Sequence, residues 1–309
     1  MGYLRADVVA RVESRESFAE LAADWFTMAR SELFPWLDQG LSGNGEPAAD
    51  GPPGGTSGTL WVQREPTLLG GSRARYSPRA WQRMLDGLAV AYPFHTALIM
   101  SALDEHGQET RPRENATIAV DRHYEQPEWV RFAVNALKGR ETVGDRPGSE
   151  PYPAAEQGVW AEFVKNWARR ADACFAQVTD DDEVFAGITA LEQATRHLPE
   201  RTLPRSCEVL RGYSWVTVCS AELAGRLGGV RLLAASGAFD EVEELPGGQV
   251  FLRATATVQE YEGEALRRVF DVLAPVLLTG LPIPHAVLGK HLRVVMDVNA
   301  ADRHQDAHD

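Results

Sequence analysis

Hydrophobic and polar positions change period several times along this chain, and the sharpest changes fall between Arg211 and Gly280. Tyr213 to Cys219 combines aromatic and β-branched residues, the types that suit a buried pleated strand. Ser220 stands where a helix N-cap would, and Leu223 and Leu227 follow four apart on one helix face. Gly228-Gly229 interrupts that helix, and Val230 to Ala235 resumes it. Val242 and Leu245 precede Pro246-Gly247-Gly248, a turn signal, after which Val250 and Leu252 alternate with Gln249, Phe251 and Arg253; this predicts a hairpin. Thr257 and Glu260 have capping-box spacing. Leu266, Val269, Phe270, Leu273 and Leu277 then form an apolar stripe at helical spacing. The stretch is a strand–helix–hairpin–helix unit of an α+β domain.

The remaining pattern is of the same kind. Asp7 to Val12 suits a first strand. Ser17 and Glu20 have capping-box spacing, and Phe18, Leu21, Trp25, Met28 and Leu33 trace one helix face that ends near Pro35. Residues 38–58 are rich in Gly, Pro, Ser and Asp and are expected to form a mobile surface loop. Thr59 to Val62 predicts a short strand, and Ser77-Pro78 a helix start with Trp81, Met84, Leu85 and Leu88 on its buried face. Thr96 to Leu103 and Ala116 to Val120 predict strands. Trp129 to Val134 fits either period, and a strand is favoured because Val130, Phe132 and Val134 alternate beyond Glu125-Gln126-Pro127. Gly139 to Pro153 reads as a linker. Trp160, Phe163, Val164, Trp167, Ala171, Cys174 and Phe175 give the strongest amphipathic helix, and Val184 to Thr195 predicts another. Leu292 to Val298 suits a last strand, and 300–309 a frayed polar tail. The expectation is mostly antiparallel sheets packed with helices, in an N-terminal half (1–140) and a C-terminal half (154–299) of similar make-up.

Charge narrows the partners. A net charge of −13 disfavours nucleic acid and anionic membranes and suits a basic protein. The N-terminus is charged too early for a secretory signal, and no apolar run reaches membrane-spanning length. Cys174, Cys207 and Cys219 form no CxxC pair; Cys174 and Cys219 read as small core residues, and a reducing, cytoplasmic setting is expected. Candidate chemistry is sparse. The glycines match no phosphate-binding pattern, no histidine lies in a metal-binding motif, no GxSxG elbow is present, and Cys207 has no defined base. Neither a cofactor nor a metal is expected. Asp180, Asp181, Asp182 and Glu183 lack calcium-loop spacing and suit the N-terminus of the following helix. Asp240, Glu241, Glu243 and Glu244 precede the tight turn. Strand alternation puts Glu241 and Glu243 on one face and Val242 on the inward one, so these two are the leading partner contacts, joined by the run 180–183. The competing reading is a charged guard on a sheet edge.

Gly212-Tyr213-Ser214-Trp215, the segment Glu222-Leu223-Ala224-Gly225-Arg226-Leu227-Gly228-Gly229, the Pro246-Gly247-Gly248 turn, the strand Val250 to Thr255 and Leu273-Ala274-Pro275-Val276-Leu277 together resemble the C-terminal part of a bacterial type VI secretion immunity-protein family. The resemblance covers about a quarter of the chain, and its motifs are structural rather than catalytic. It implies a non-enzymatic antidote that binds a cognate protein toxin, a basic one if the acidic surface is complementary to it. The alternatives are an enzyme or small-molecule-binding protein with a site assembled from scattered residues, such as Tyr213 and Trp215 near Glu208, or a regulatory subunit of a larger assembly.

Overall fold

The computed structural model describes residues 2–42, 53–66, 70–110, 114–138, 141–143, 146–148, 152–181, 187–283 and 293–296. The elements in order are β1 (Gly2–Arg11), α1 (Arg15–Met28), α2 (Pro35–Ser42), β2 (Thr56–Gln63), β3 (Ser72–Arg75), α3 (Pro78–Ala91), β4 (His95–Ala102), β5 (Glu114–Arg122), β6 (Trp129–Lys138), β7 (Glu141–Val143) and β8 (Arg146–Gly148). There follow α4 (Ala154–Ala171), β9 (Phe175–Thr179), α5 (Ala190–Thr195), α6 (Pro199–Thr202), β10 (Val216–Cys219), α7 (Ala221–Arg226), α8 (Gly229–Ala235), β11 (Glu241–Glu244), β12 (Val250–Arg253) and α9 (Gly263–Leu273). The fold is α+β. The chain divides into two compact units, one of Met1–Arg5 with Val12–Pro153 and one of Ala6–Arg11 with Ala154–Asp309.

In the first unit β6, β5, β4, β2 and β3 lie side by side, each pair antiparallel. One face is apolar: Leu60, Leu98, Met100, Ile118, Val120, Phe132 and Val134 are all buried. Helices α1 and α3 bring their own buried stripes, Phe18, Ala22, Trp25 and Phe26 from one, Met84 and Leu88 from the other. The Trp25 ring lies 5.7 Å from Phe132, and its indole N–H donates to the Ala133 carbonyl at 3.2 Å, so the large residue is both packed and satisfied. Ser77 caps α3 by accepting from the Ala80 N–H, with Pro78 in the first turn as expected. The ambiguous stretch from Trp129 is strand β6.

The cap of α1 differs from expectation: Ser14, not Ser17, accepts from the Ser17 N–H, and Glu20 lies inside the helix. Pro35 opens α2 instead of ending the chain's helical run, because a proline at the first helical position loses no hydrogen bond there. The expected loop 38–58 is therefore helical to Ser42 and in β2 from Thr56, while 43–52 lie outside the described residues. Within 139–153, β7 and β8 pair antiparallel.

The second unit has the order β11, β12, β10, β9, with β9 beside the Ala6–Arg11 part of β1. β11, β12, β10 and β9 pair antiparallel in turn. Ser220 caps α7 by accepting from the Leu223 N–H, and Gly228 and Gly229 both take positive φ between α7 and α8, which a side chain would strain. The hairpin closes where the Gly248 N–H donates to Leu245. Helix α4 buries Trp160, Phe163, Val164 and Trp167, and α9 buries Val269, Phe270 and Leu273. Several expectations fail here. The helix expected to run through Cys174 and Phe175 ends at Ala171, and Phe175 opens β9. The Tyr213–Trp215 segment precedes the strand, which starts at Val216. The helix expected from Val184 starts at Ala190, because Thr189 and Glu192 form its capping box; 184–186 lie outside the described residues. Residues 293–296 have no strand pairing, and the rest of 292–298, with the tail 300–309, lies outside the described residues.

A disulfide joins Cys174 to Cys207, whose Cα atoms are 4.7 Å apart. This corrects the expectation of unpaired thiols: Cys174 lies past the end of α4, and the fold brings it to the turn before Leu210 across a separation of 33 residues. Cys219 is a free, buried thiol, and burial pushes its pKa up to about 12. No described helix is long and apolar enough to cross a membrane.

Candidate functional site

The acidic residues around the β11–β12 hairpin divide into two pairs. Glu241 and Glu243 share a face, as alternation requires, and cations of α4 pair with them there, leaving both half-buried. Lys165, 6% exposed, donates to Glu241 at 2.5 Å and to Glu162 at 2.7 Å and lies 3.2 Å from Glu243. Arg169 also pairs with Glu243, and Arg253, the cross-strand neighbour of Glu241, pairs with it at 3.1 Å. The Lys165 ammonium further lies 4.6 Å from the Phe251 ring. Burial works to lower the Lys165 pKa, but the carboxylates outweigh it and hold it above its ordinary value. Burial likewise works to raise Glu243, and Lys165 and Arg169 outweigh it and lower it. Val242, expected to be the inward residue, sits on the other side of the strand and is only half-buried. Asp240 and Glu244 are exposed.

Asp180 and Asp181 cap no described helix, and the described helix that follows is capped by Thr189. Asp181 is buried; it accepts from the Thr179 hydroxyl at 2.8 Å and from the Arg293 N–H at 3.1 Å. Asp180 pairs with the Arg293 side chain, yet burial raises its pKa because desolvation outweighs that pairing. Both carboxylates tie the 293–296 segment to the end of β9. Asp182 and Glu183 lie outside the described residues.

The Arg211 to Trp215 motif is likewise a structural device. Arg211 and Glu192 form an ion pair that solvent does not reach, 1% and 0% exposed, at 2.7 Å. An added Cβ at Gly212 would stand 3.0 Å from Thr189, so this position holds the chain against the cap of α5. The Tyr213 hydroxyl accepts from the Val295 N–H at 2.8 Å, and burial raises its pKa. Ser214 donates to Gln177, itself bonded to Asp7. The Trp215 indole donates to the Thr255 carbonyl at 2.9 Å.

His123, which the sequence sets beside Asp121, instead accepts from the Gln126 N–H within its turn. Asp121 pairs with His95 at 2.5 Å and with Arg131 at 3.1 Å, under the Trp61 ring 4.5 Å from the imidazole. Among the described residues no group of three or more His, Cys, Asp or Glu is placed to hold a metal ion; His285, His291, His304 and His308 lie outside them.

No family model matches the chain, and no curated protein matches it. A solved structure does. The fold resembles that of the Pseudomonas aeruginosa T6SS protein PA0821. The likeness covers 99% of this chain and 86% of that one, with a TM-score of 0.52 and 11% identity. At that identity the likeness is one of fold.

One feature of the first unit escaped the sequence reading. A cavity of about 350 Å³ lies between β2, β3 and α3, and Arg64 and Arg83 contribute to its lining. Its one sequence signal is Gly87, a glycine in the interior of an amphipathic helix.

Proposed function

We propose that this chain is a non-enzymatic immunity protein that binds and neutralises a cognate bacterial toxin. The observation that carries the reading is the fold likeness to a T6SS protein over nearly the whole chain, and the resemblance of 211–280 to an immunity-protein family points the same way. The motif residues of that stretch are spent on burial and internal hydrogen bonds, which suits a scaffold that presents a surface. The net charge of −13 favours a basic toxin, steering its approach at long range. Glu241, Glu243, Asp180 and Asp181 are held by internal partners, so the proposal places direct charge contact at the exposed Asp240 and Glu244.

The test is co-expression with the product of the adjacent gene in a host that the product kills. Restored growth together with a stoichiometric complex on size exclusion supports the reading. No rescue and no complex overturns it. Rescue without a complex would point to chemical inactivation and overturn the non-enzymatic part.

A further inference from the structure

The cavity of the first unit sits at the edge of its sheet, for β3 ends the strand order and pairs with β2 alone among the described strands. All four β3 residues are exposed. Ser72 and Ala74 turn toward the cavity, which is floored by Leu60, Val62, Met84 and Leu88. Arg73 belongs to the opposite face, where its guanidinium lies 4.8 Å from the Trp61 ring. Gly87 faces the cavity from the middle of α3, and a Cβ added there would meet nothing within 4 Å. Packing therefore does not call for glycine at a position where it weakens the helix relative to alanine. The space it leaves is unfilled.

The charge of this region runs against that of the chain. Arg64, Arg75, Arg79 and Arg83 are exposed, and none of them is paired with a described carboxylate. At physiological ionic strength the Debye length is about 8 Å. Exposed Glu65 and Asp86 lie in the same region, so a ligand at this edge responds to a local balance of these four arginines against two carboxylates more than to the net charge of the chain.

We infer that this edge and cavity form a docking surface for an extended segment of an acidic protein partner. The segment adds to β3 as a further strand, its main chain pairing with the β3 edge. One apolar side chain enters the cavity beside Gly87. Its same-face neighbours two residues away carry carboxylates to Arg64 and Arg83. The intervening residues fall on the face of Arg73 and Arg75, so acidic residues are favoured at both parities around the apolar one. The inference does not depend on the toxin reading, because a basic toxin would dock elsewhere on the chain.

The test uses the full chain and two fluorescein-labelled peptides, Glu-Glu-Glu-Leu-Glu-Glu-Glu and the same peptide with every Glu replaced by Lys, read by fluorescence anisotropy. The acidic peptide should bind at least about tenfold more tightly than the basic one, as a charge-complementary edge requires. Gly87→Trp fills the cavity, and Arg64→Glu with Arg83→Glu reverses its charge without touching the core. Each should weaken acidic-peptide binding at least about tenfold. Thermal unfolding by circular dichroism checks the fold, and the arginine variant carries the test if the tryptophan does not fold. No binding of the acidic peptide at millimolar protein, equal binding of both peptides, or binding unchanged in the folded variants overturns the inference. So does concentration-dependent self-association that Gly87→Trp abolishes, for it would give the surface to a second copy of the chain.

Discussion

Arg211→Met is expected to be the most damaging single change on the second unit's polar framework. Glu192 is fully buried and accepts four hydrogen bonds: from Arg211 Nε at 2.7 Å, from Arg211 Nη2 at 3.0 Å, from the Thr189 N–H at 2.7 Å and from the Thr202 hydroxyl. Methionine keeps much of the arginine's volume and removes both charged donors. The carboxylate then stays in the core as a net charge with two neutral donors, and the Gly187 carbonyl loses its Arg211 partner as well. Breaking one side of a buried pair in this way costs about 3–5 kcal/mol. Glu192→Gln should cost a similar amount, because it strands the guanidinium. The double variant removes both charges while an amide oxygen can still accept from Thr189, so its loss should be smaller than the sum of the singles by at least about 1–2 kcal/mol. Urea unfolding followed by circular dichroism, with the slope of free energy on urea checked for constancy, measures all three. If the double variant costs the full sum, the two groups are not coupled and the argument fails.

Other outcomes follow from the same geometry. Trp215→Ala should lose about 3–5 kcal/mol, since the ring is buried and its N–H is bonded to Thr255; an unfolding midpoint that barely moves refutes this. Glu241→Lys with Glu243→Lys should lower the unfolding midpoint by placing two cations against the buried Lys165, whereas Asp240→Lys with Glu244→Lys should leave it unchanged and slow association with a basic partner at low salt. Equal midpoints for the two double variants would contradict the ion-pair network. The stability gap between wild type and Lys165→Met should depend on pH in a defined way. Lys165 is raised above 10.5, so its contribution is complete below 10.5 and lost as pH rises through the folded value; Glu243 is lowered below 4.5, so its contribution is present above 4.5 and lost as pH falls through the folded value. The gap should be level between those limits, and a gap that widens above pH 10.5 refutes the assignment.

The sequence was most legible where local chemistry decides. Ser77, Ser220 and the Pro246-Gly247-Gly248 turn act within a few residues, and each was found in its expected role. Boundaries failed where two local signals competed: Ser14 and Ser17 both suit an N-cap, and Pro35 stops one helix pattern as readily as it starts another. The acidic residues were harder for a different reason. Alternation places Glu241 and Glu243 on one face, but whether that face meets water depends on Lys165, which is 76 residues from Glu241. The Cys174–Cys207 link and the cavity beside Gly87 are likewise products of long-range packing. No residue spacing announces them.

Those long-range contacts also separate what the second unit's polar residues do from what they suggest. A carboxylate draws a partner only while its charge is available to water. Glu192 spends its charge on Arg211, Asp180 on Arg293, and Glu241 and Glu243 on Lys165 with two arginines. Each of these pairs joins segments distant in sequence, so their product is a fixed backbone, and the exposed Asp240 and Glu244 flank β11 at its two ends on that backbone. The first unit offers the opposite arrangement. Its arginines at the β3 edge are exposed and pair with no described carboxylate, beside an apolar space. A burial argument cannot explain a charge that is left exposed together with a cavity that a single alanine at Gly87 would begin to close without a clash. Recognition explains both at once, which is why the β3 edge is where an acidic partner should leave its imprint, separately from a basic toxin at the acidic hairpin.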